Sequence, residues 1–129
     1  MKPKNERLKE LINNQLSNID DKDLLSWSDM GRIVKYTDKS IFGNQCCLWQ
    51  GYITYNKIKY VNFFFRNRKR SINRLLYINY KGDLDESVYL NHTCNNPSNC
   101  ININHIQIKK NNDIQKPYVK PVRKIIYFD

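Results

Sequence analysis

The sequence predicts a small α+β domain braced by a bound metal ion, and three observations predict it. The run His92–His105 reads H-T-C-N-N-P-S-N-C-I-N-I-N-H, with Cys94, Cys100 and His105 crowded together. Cys46 and Cys47 lie upstream and offer a fourth ligand. Three Cys and one His make a complete tetrahedral set for structural Zn²⁺. Residues 48–65 are rich in aromatic and β-branched types, the composition of a β-hairpin. Residues 5–19 carry an apolar stripe, the mark of an amphipathic helix.

Composition sets the frame for these elements. The 129 residues suit one domain, organised as an N-terminal helix and irregular arm (1–45), a zinc-binding core (46–115) and an extended tail (116–129). Such a chain can bury about two-thirds of its unfolded surface, enough for a small core. The net charge of +10 favours polyanion partners: DNA, RNA or an anionic membrane. Clustering strengthens that reading: Arg66, Arg68, Lys69 and Arg70 form one block, and Lys109 and Lys110 another. No apolar run approaches the ~20 residues of a membrane-spanning helix. Met1-Lys2-Pro3-Lys4 leads into a charged segment, unlike a secretion signal. The expected location is therefore intracellular, in a nucleus, organelle, viral factory or virion. In a reducing compartment, four Cys beside a His are metal ligands rather than disulfide partners. Asn and Ile fill about a quarter of the chain, and their AT-rich codons suit an organelle, a protist or a large DNA virus.

In chain order, Leu8, Leu11, Ile12, Leu16 and Ile19 define the first helix, over 5–19. Residues 24–45 are expected to be irregular, with Gly31 and Gly43 as breakers. A hairpin over 48–65 takes Trp49, Tyr52 and Thr54 on one strand and Lys59, Val61, Phe63 and Phe65 on the other. Asn56-Lys57 supplies its turn. Three consecutive Phe, 63–65, blur the alternation, so the second strand is expected to be covered on both faces. The basic block then follows at the hairpin's exit. Ser71 can cap a second helix over 71–80, with Ile72, Leu75, Leu76 and Ile78 on its apolar face and Gly82 at its end. A short strand, 87–91, delivers His92, and Ile106-Gln107-Ile108 can return beside it. Residues 109–115 can make one or two helical turns. The tail contains Pro117 and Pro121, and its apolar end, Ile125–Phe128, calls for a docking surface on this domain or a partner.

Several segments together carry a family resemblance. Cys46-Cys47-Leu48-Trp49-Gln50-Gly51 matches C-x-x-W-x-G, and Arg74-Leu75-Leu76-Tyr77 matches R-L-x-Y. His92-Thr93-Cys94, Asn96-Pro97, Cys100, Asn102 and His105 match a core of H-x-C, N-P, C, N and H. Over residues 46–114 the chain resembles a His-Me finger (ββα-metal) nuclease of the zinc-bound HNH and His-Cys-box homing endonuclease kind. The resemblance implies a structural zinc on Cys46, Cys94, Cys100 and His105, with Cys46 preferred over Cys47. It implies that His92 is the general base that takes a proton from the attacking water. It also implies a catalytic Mg²⁺ that neutralises charge on the leaving oxygen. Arg74 is placed to touch the scissile phosphate. The pattern departs at Ile114, where the family carries a Mg²⁺-binding Asn. Ile cannot ligate a hard cation, so the neighbouring Asn112 and Asp113 are the candidate Mg²⁺ ligands.

The block Arg66–Arg70, with Lys109 and Lys110, is expected to follow a phosphate backbone. Tyr52, Thr54, Lys57 and Lys59 are placed to read base edges. Two functions compete: a metal-dependent DNA endonuclease, and a catalytically silent zinc-braced DNA- or RNA-binding protein or assembly subunit. A protein-interaction module whose charge serves solubility is the third. The N-terminal helix and the tail are the surfaces on which a homodimer or a larger assembly would form.

Overall fold

The computed structural model describes residues 3–51, 54–55, 59–85, 87–94 and 99–109. Among these residues, three α-helices and three two-stranded antiparallel ribbons form a small α+β fold. Helix α1 (Lys4–Asn14) ends before the apolar stripe does. Gln15 is extended, and its side chain donates to Asn79 Oδ1 at 2.8 Å and to the Leu25 carbonyl at 3.0 Å. Leu16 N donates to the Asn79 carbonyl at 2.9 Å. These bonds replace the next helical turn, and Leu16 is left 38% exposed.

Helix α2 (Trp27–Lys35) occupies a segment expected to be irregular. Its start is fixed by a reciprocal capping box. Ser26 Oγ accepts from Asp29 N at 3.1 Å, and Asp29 Oδ2 accepts from Ser26 N at 2.9 Å. Met30, Ile33 and Val34 then fall on one buried face. Gly31 lies inside this helix and does not break it. Buried Arg7 joins α1 to the end of α2 by donating to the Thr37 carbonyl and to Thr37 Oγ1 at 3.0 and 3.1 Å.

Strands β1 (Thr54–Tyr55) and β2 (Lys59–Tyr60) pair as the predicted hairpin, in a shorter form. Its turn residues Asn56 and Lys57, and Tyr52, lie outside the described residues. A second ribbon follows that was not expected: β3 (Asn62–Phe65) pairs with β4 (Arg68–Ser71), from Asn62↔Ser71 to Phe65↔Arg68. Arg66 and Asn67 turn between them with φ of 51° and 68°, the left-handed pair of a tight hairpin. Phe63 and Phe65 are buried and Phe64 is 57% exposed, so the strand alternates and is not covered on both faces. The basic block is therefore the return strand of a hairpin rather than its exit.

Helix α3 (Ile72–Tyr80) is the centre of the molecule. Ser71 Oγ accepts from Arg74 N at its start. At its end, Lys81 N and Gly82 N both donate to the Tyr77 carbonyl, and Gly82 adopts a φ of +155°. Ile72, Leu75 and Leu76 are wholly buried, each worth about 1.5–3 kcal/mol relative to exposure. Around them pack Leu11, Leu25, Met30 and Ile33 from the N-terminal third, Val61 between β2 and β3, Phe65 from β3, and Ile101 and Ile103. One core thus spans both sides of position 45. Asn79, also wholly buried, has each of its polar atoms paired. It accepts from Gln15 and Leu25 N and donates to the Asp23 and Leu75 carbonyls.

Strands β5 (Tyr89–His92) and β6 (Ile106–Lys109) form the third ribbon, with His92 opposite Ile106. Both were expected, within two residues. The helical turns expected over 109–115 and the tail 116–129 lie outside the described residues, apart from the backbone of Lys109. Among the described residues, no helix is long and apolar enough to cross a membrane.

Candidate metal centre

Four segments converge on one point. Cys46 comes from the loop after α2, Cys94 from the residues after β5, Cys100 from an isolated bridge to Leu48, and His105 from the short 3₁₀ turn Ile103–His105 before β6. Backbone pairing brings the first and third together: Ile101 N donates to the Cys47 carbonyl at 2.7 Å, and Trp49 N to the Asn99 carbonyl at 2.8 Å. Two asparagines complete the stitching. Buried Asn102 donates to the Gly43 and Gln45 carbonyls at 2.9 and 2.6 Å and accepts from Asn104 N at 2.7 Å. Asn104 donates to the Phe42 and Gly43 carbonyls.

The ligand atoms of Cys46, Cys94, Cys100 and His105 all lie within 4.8 Å of one another. Cys46 Sγ and Cys100 Sγ are each 3.5 Å from His105 Nδ1. Metal–sulfur bonds of about 2.3 Å and metal–nitrogen bonds of about 2.0–2.1 Å, set at tetrahedral angles, separate sulfur from nitrogen by about 3.5 Å. The other ring nitrogen, His105 Nε2, is 2.9 Å from the Asn44 carbonyl. A proton held there leaves the Nδ1 lone pair directed at the cluster, the usual support of a metal-bound imidazole. The set is compatible with a metal ion such as zinc. Burial pushes the Cys100 thiol well above its ordinary value, so a cation is what would draw off its proton. Cys47 is outside the set. Its Sγ donates to the Lys39 carbonyl at 3.1 Å, it is wholly buried, and burial pushes its thiol up to about 11.

His92 stands at the end of β5, half-buried, beside the cluster. Its Nε2 is 2.9 Å from the Cys100 carbonyl and 3.3 Å from Asn73 Nδ2. Thr93 N donates to the His105 carbonyl at 2.8 Å and locks the strand end in place. A carbonyl accepts only, so the Cys100 contact puts the proton on Nε2 and the lone pair on Nδ1.

The other residues singled out in the sequence are dispersed. The Arg74 guanidinium donates to the Val88 carbonyl at 2.8 Å and the Asp85 carbonyl at 3.0 Å, bracing the approach to β5. Arg70 pairs with Asp23 at 2.8 Å and reaches the Lys22 carbonyl, while Arg66 reaches the Leu24 carbonyl at 3.4 Å. Arg68 and Lys69 are exposed on β4. Lys110, Asn112, Asp113, Ile114, Asn96 and Pro97 lie outside the described residues, as does the side chain of Lys109. Asn73, Asn104 and the Asn44 carbonyl were not anticipated as parts of this site. Asn102 stood in the sequence pattern, without the stitching role it has here.

No family model matches the chain, and no solved structure matches it. A protein of Acanthamoeba polyphaga mimivirus, itself described only as uncharacterised, is 43% identical over 97% of this chain. The chain spans 40% of that protein's length.

Proposed function

We propose that this chain is a zinc-braced endonuclease of the His-Me finger kind, in which His92 is the general base for hydrolysis of a DNA phosphodiester. One observation carries the reading. The His92 imidazole is held through Nε2 on the carbonyl of Cys100, itself a member of the metal cluster, which leaves a basic lone pair on Nδ1. The antiparallel β5–β6 ribbon flanking the cluster is what the two strands of a ββα-metal core would require. Zinc on Cys46, Cys94, Cys100 and His105 would be structural, since all four positions are protein ligands. A divalent cation such as Mg²⁺, with Asn112 or Asp113 as donors, would stabilise the leaving oxygen. The net charge of +10 and the exposed Arg68 and Lys69 supply affinity for the phosphate backbone, without sequence preference.

A second reading is favoured by two observations. Ile114 stands where the resembled family has its Mg²⁺-binding Asn, and the Arg74 side chain donates to the Val88 and Asp85 carbonyls. On that reading the fold serves zinc-braced nucleic-acid binding alone. A plasmid-nicking assay on zinc-loaded protein with Mg²⁺ or Mn²⁺ separates the two. Nicking by the wild type and its loss in His92→Ala is the expected outcome. A gel shift without nicking by either protein would leave binding as the function, and neither nicking nor binding would remove both.

A further inference from the structure

The environment of His92 contains a conflict whose resolution assigns a role to a residue outside every motif in the sequence. Nε2 faces the Cys100 carbonyl at 2.9 Å, a contact that is a bond only if Nε2 carries the proton. Asn73 Nδ2 is 3.3 Å from the same Nε2, which sets donor against donor. Asn73 Oδ1 is meanwhile buried without a hydrogen-bond partner. The two ends of a carboxamide have the same shape, and the surrounding bonds decide which is oxygen. The oxygen placed away from His92 finds no donor, so the choice turns on His92. An NH₂ against Nε2–H repels, whereas an oxygen there accepts. Asn73 is well fixed for the task. It sits in the first turn of α3, two residues after the Ser71 cap and next to the wholly buried Ile72.

We infer that Asn73 is a positioning residue for His92: its side-chain oxygen and the Cys100 carbonyl share the Nε2–H, holding the ring's orientation and keeping the lone pair on Nδ1. With the carbonyl alone, the ring can pivot about a single bond and populate the other tautomer. The inference rests on the reading of His92 as general base, but its geometry can be tested without activity. The chain has two histidines, so both imidazoles can be followed in the zinc-loaded full-length protein by long-range ¹H–¹⁵N correlation.

The expected result is an Nε2–H tautomer for wild-type His92, with no strong cross-peak between that proton and the Asn73 side-chain NH₂. In Asn73→Leu, a visible fraction of His92 should shift to Nδ1–H. In Asn73→Asp, whose oxygens only accept, Nε2–H should be retained. In the nicking assay, Asn73→Leu should lower kcat about 10–100-fold, the usual range for partners that orient a functional imidazole, with little change in KM. A proton on Nδ1 in the wild type, a strong NH₂ cross-peak, or an Asn73→Leu tautomer indistinguishable from wild type would overturn the proposal. The cross-peak decides even if Asn73→Leu does not fold. Absence of nicking by the wild type would count against the general-base reading, and the tautomer would still decide whether Asn73 positions the ring.

Discussion

Adjacent cysteines 46 and 47 do opposite work because the chain beside Cys100 is extended and neighbouring side chains point to opposite faces. Cys46 faces His105, and Cys47 faces inward to the Lys39 carbonyl. A wholly buried thiol whose proton is held up to about 11 stays neutral and behaves as a small apolar residue. Cys46→Ser should therefore lose bound zinc in a metal-content measurement. Cys47→Ala should keep a full equivalent and lose only about 1–2 kcal/mol in denaturant unfolding, from the missing sulfur and its hydrogen bond. Zinc loss in Cys47→Ala with retention in Cys46→Ser would exchange the two assignments. The four residues of the cluster were readable because Cys and His are scarce here and metal chemistry restricts the spacing of such a set. The asparagines that build the site were not. Asn occurs 18 times in this chain, and nothing local distinguishes the Asn102 that bonds carbonyls 57 and 59 residues away from an Asn in a turn.

At the scale of elements, two glycines show what local rules can and cannot decide. Gly31 reads as a breaker, yet the Ser26–Asp29 capping box and the buried face of Met30, Ile33 and Val34 outweigh its cost of about 1 kcal/mol. A Cβ at Gly31 would meet nothing within 4 Å. Gly31→Ala should thus stabilise the protein by about 0.5–1 kcal/mol. At Gly51 a Cβ would lie 2.8 Å from Trp49 Nε1 and 3.3 Å from Tyr36 Cδ1, against a buried, rigid indole. That close approach gives the W-x-G motif a physical reason, and Gly51→Ala should destabilise by about 1–3 kcal/mol through forced repacking. Thermal melts of the two variants should move in opposite directions, and a shift of the same sign in both would refute this account. The β3–β4 ribbon was missed for a related reason. A strand of Arg68-Lys69-Arg70 has no apolar alternation of its own, and its place is set by partners: Phe63 and Phe65 on β3, and Asp23 against Arg70. The predicted basic patch is accordingly smaller than its charge suggests, because Arg70 is partly neutralised and packs 5.7 Å from the Phe65 ring centroid.

Across the whole molecule, the Cys46–Cys94–Cys100–His105 cluster joins the late ribbon to a core that draws on the three helices, on β3 and on the segments between them. Residues 99–105 reach that core through Ile101 and Ile103 and through the backbone and asparagine bonds to residues 41–49. The β5–β6 ribbon has no comparable apolar interior, since Ile106 is its one buried residue among those described. A two-stranded ribbon is marginal by itself, so its order depends on the anchor at its base. Structural zinc binding is worth about 10–16 kcal/mol in small domains, comparable to the entire stability of a chain this size. Stripping the metal with a strong chelator should therefore act unevenly. Amide-exchange protection should vanish first over β5 and β6, residues 89–92 and 106–109, while Leu75, Leu76 and Asn79 in α3 keep measurable protection. The apparent melting temperature should fall and recover when zinc is restored. Uniform loss of protection would mean that the two parts form one cooperative unit, and unchanged protection over β5 and β6 would show that the cluster carries no structural metal. Acid should mimic the chelator, because Cys94, Cys100 and Cys46 would bind a metal as thiolates and protons compete for them: a metal's contribution would be present at neutral pH and lost as pH falls.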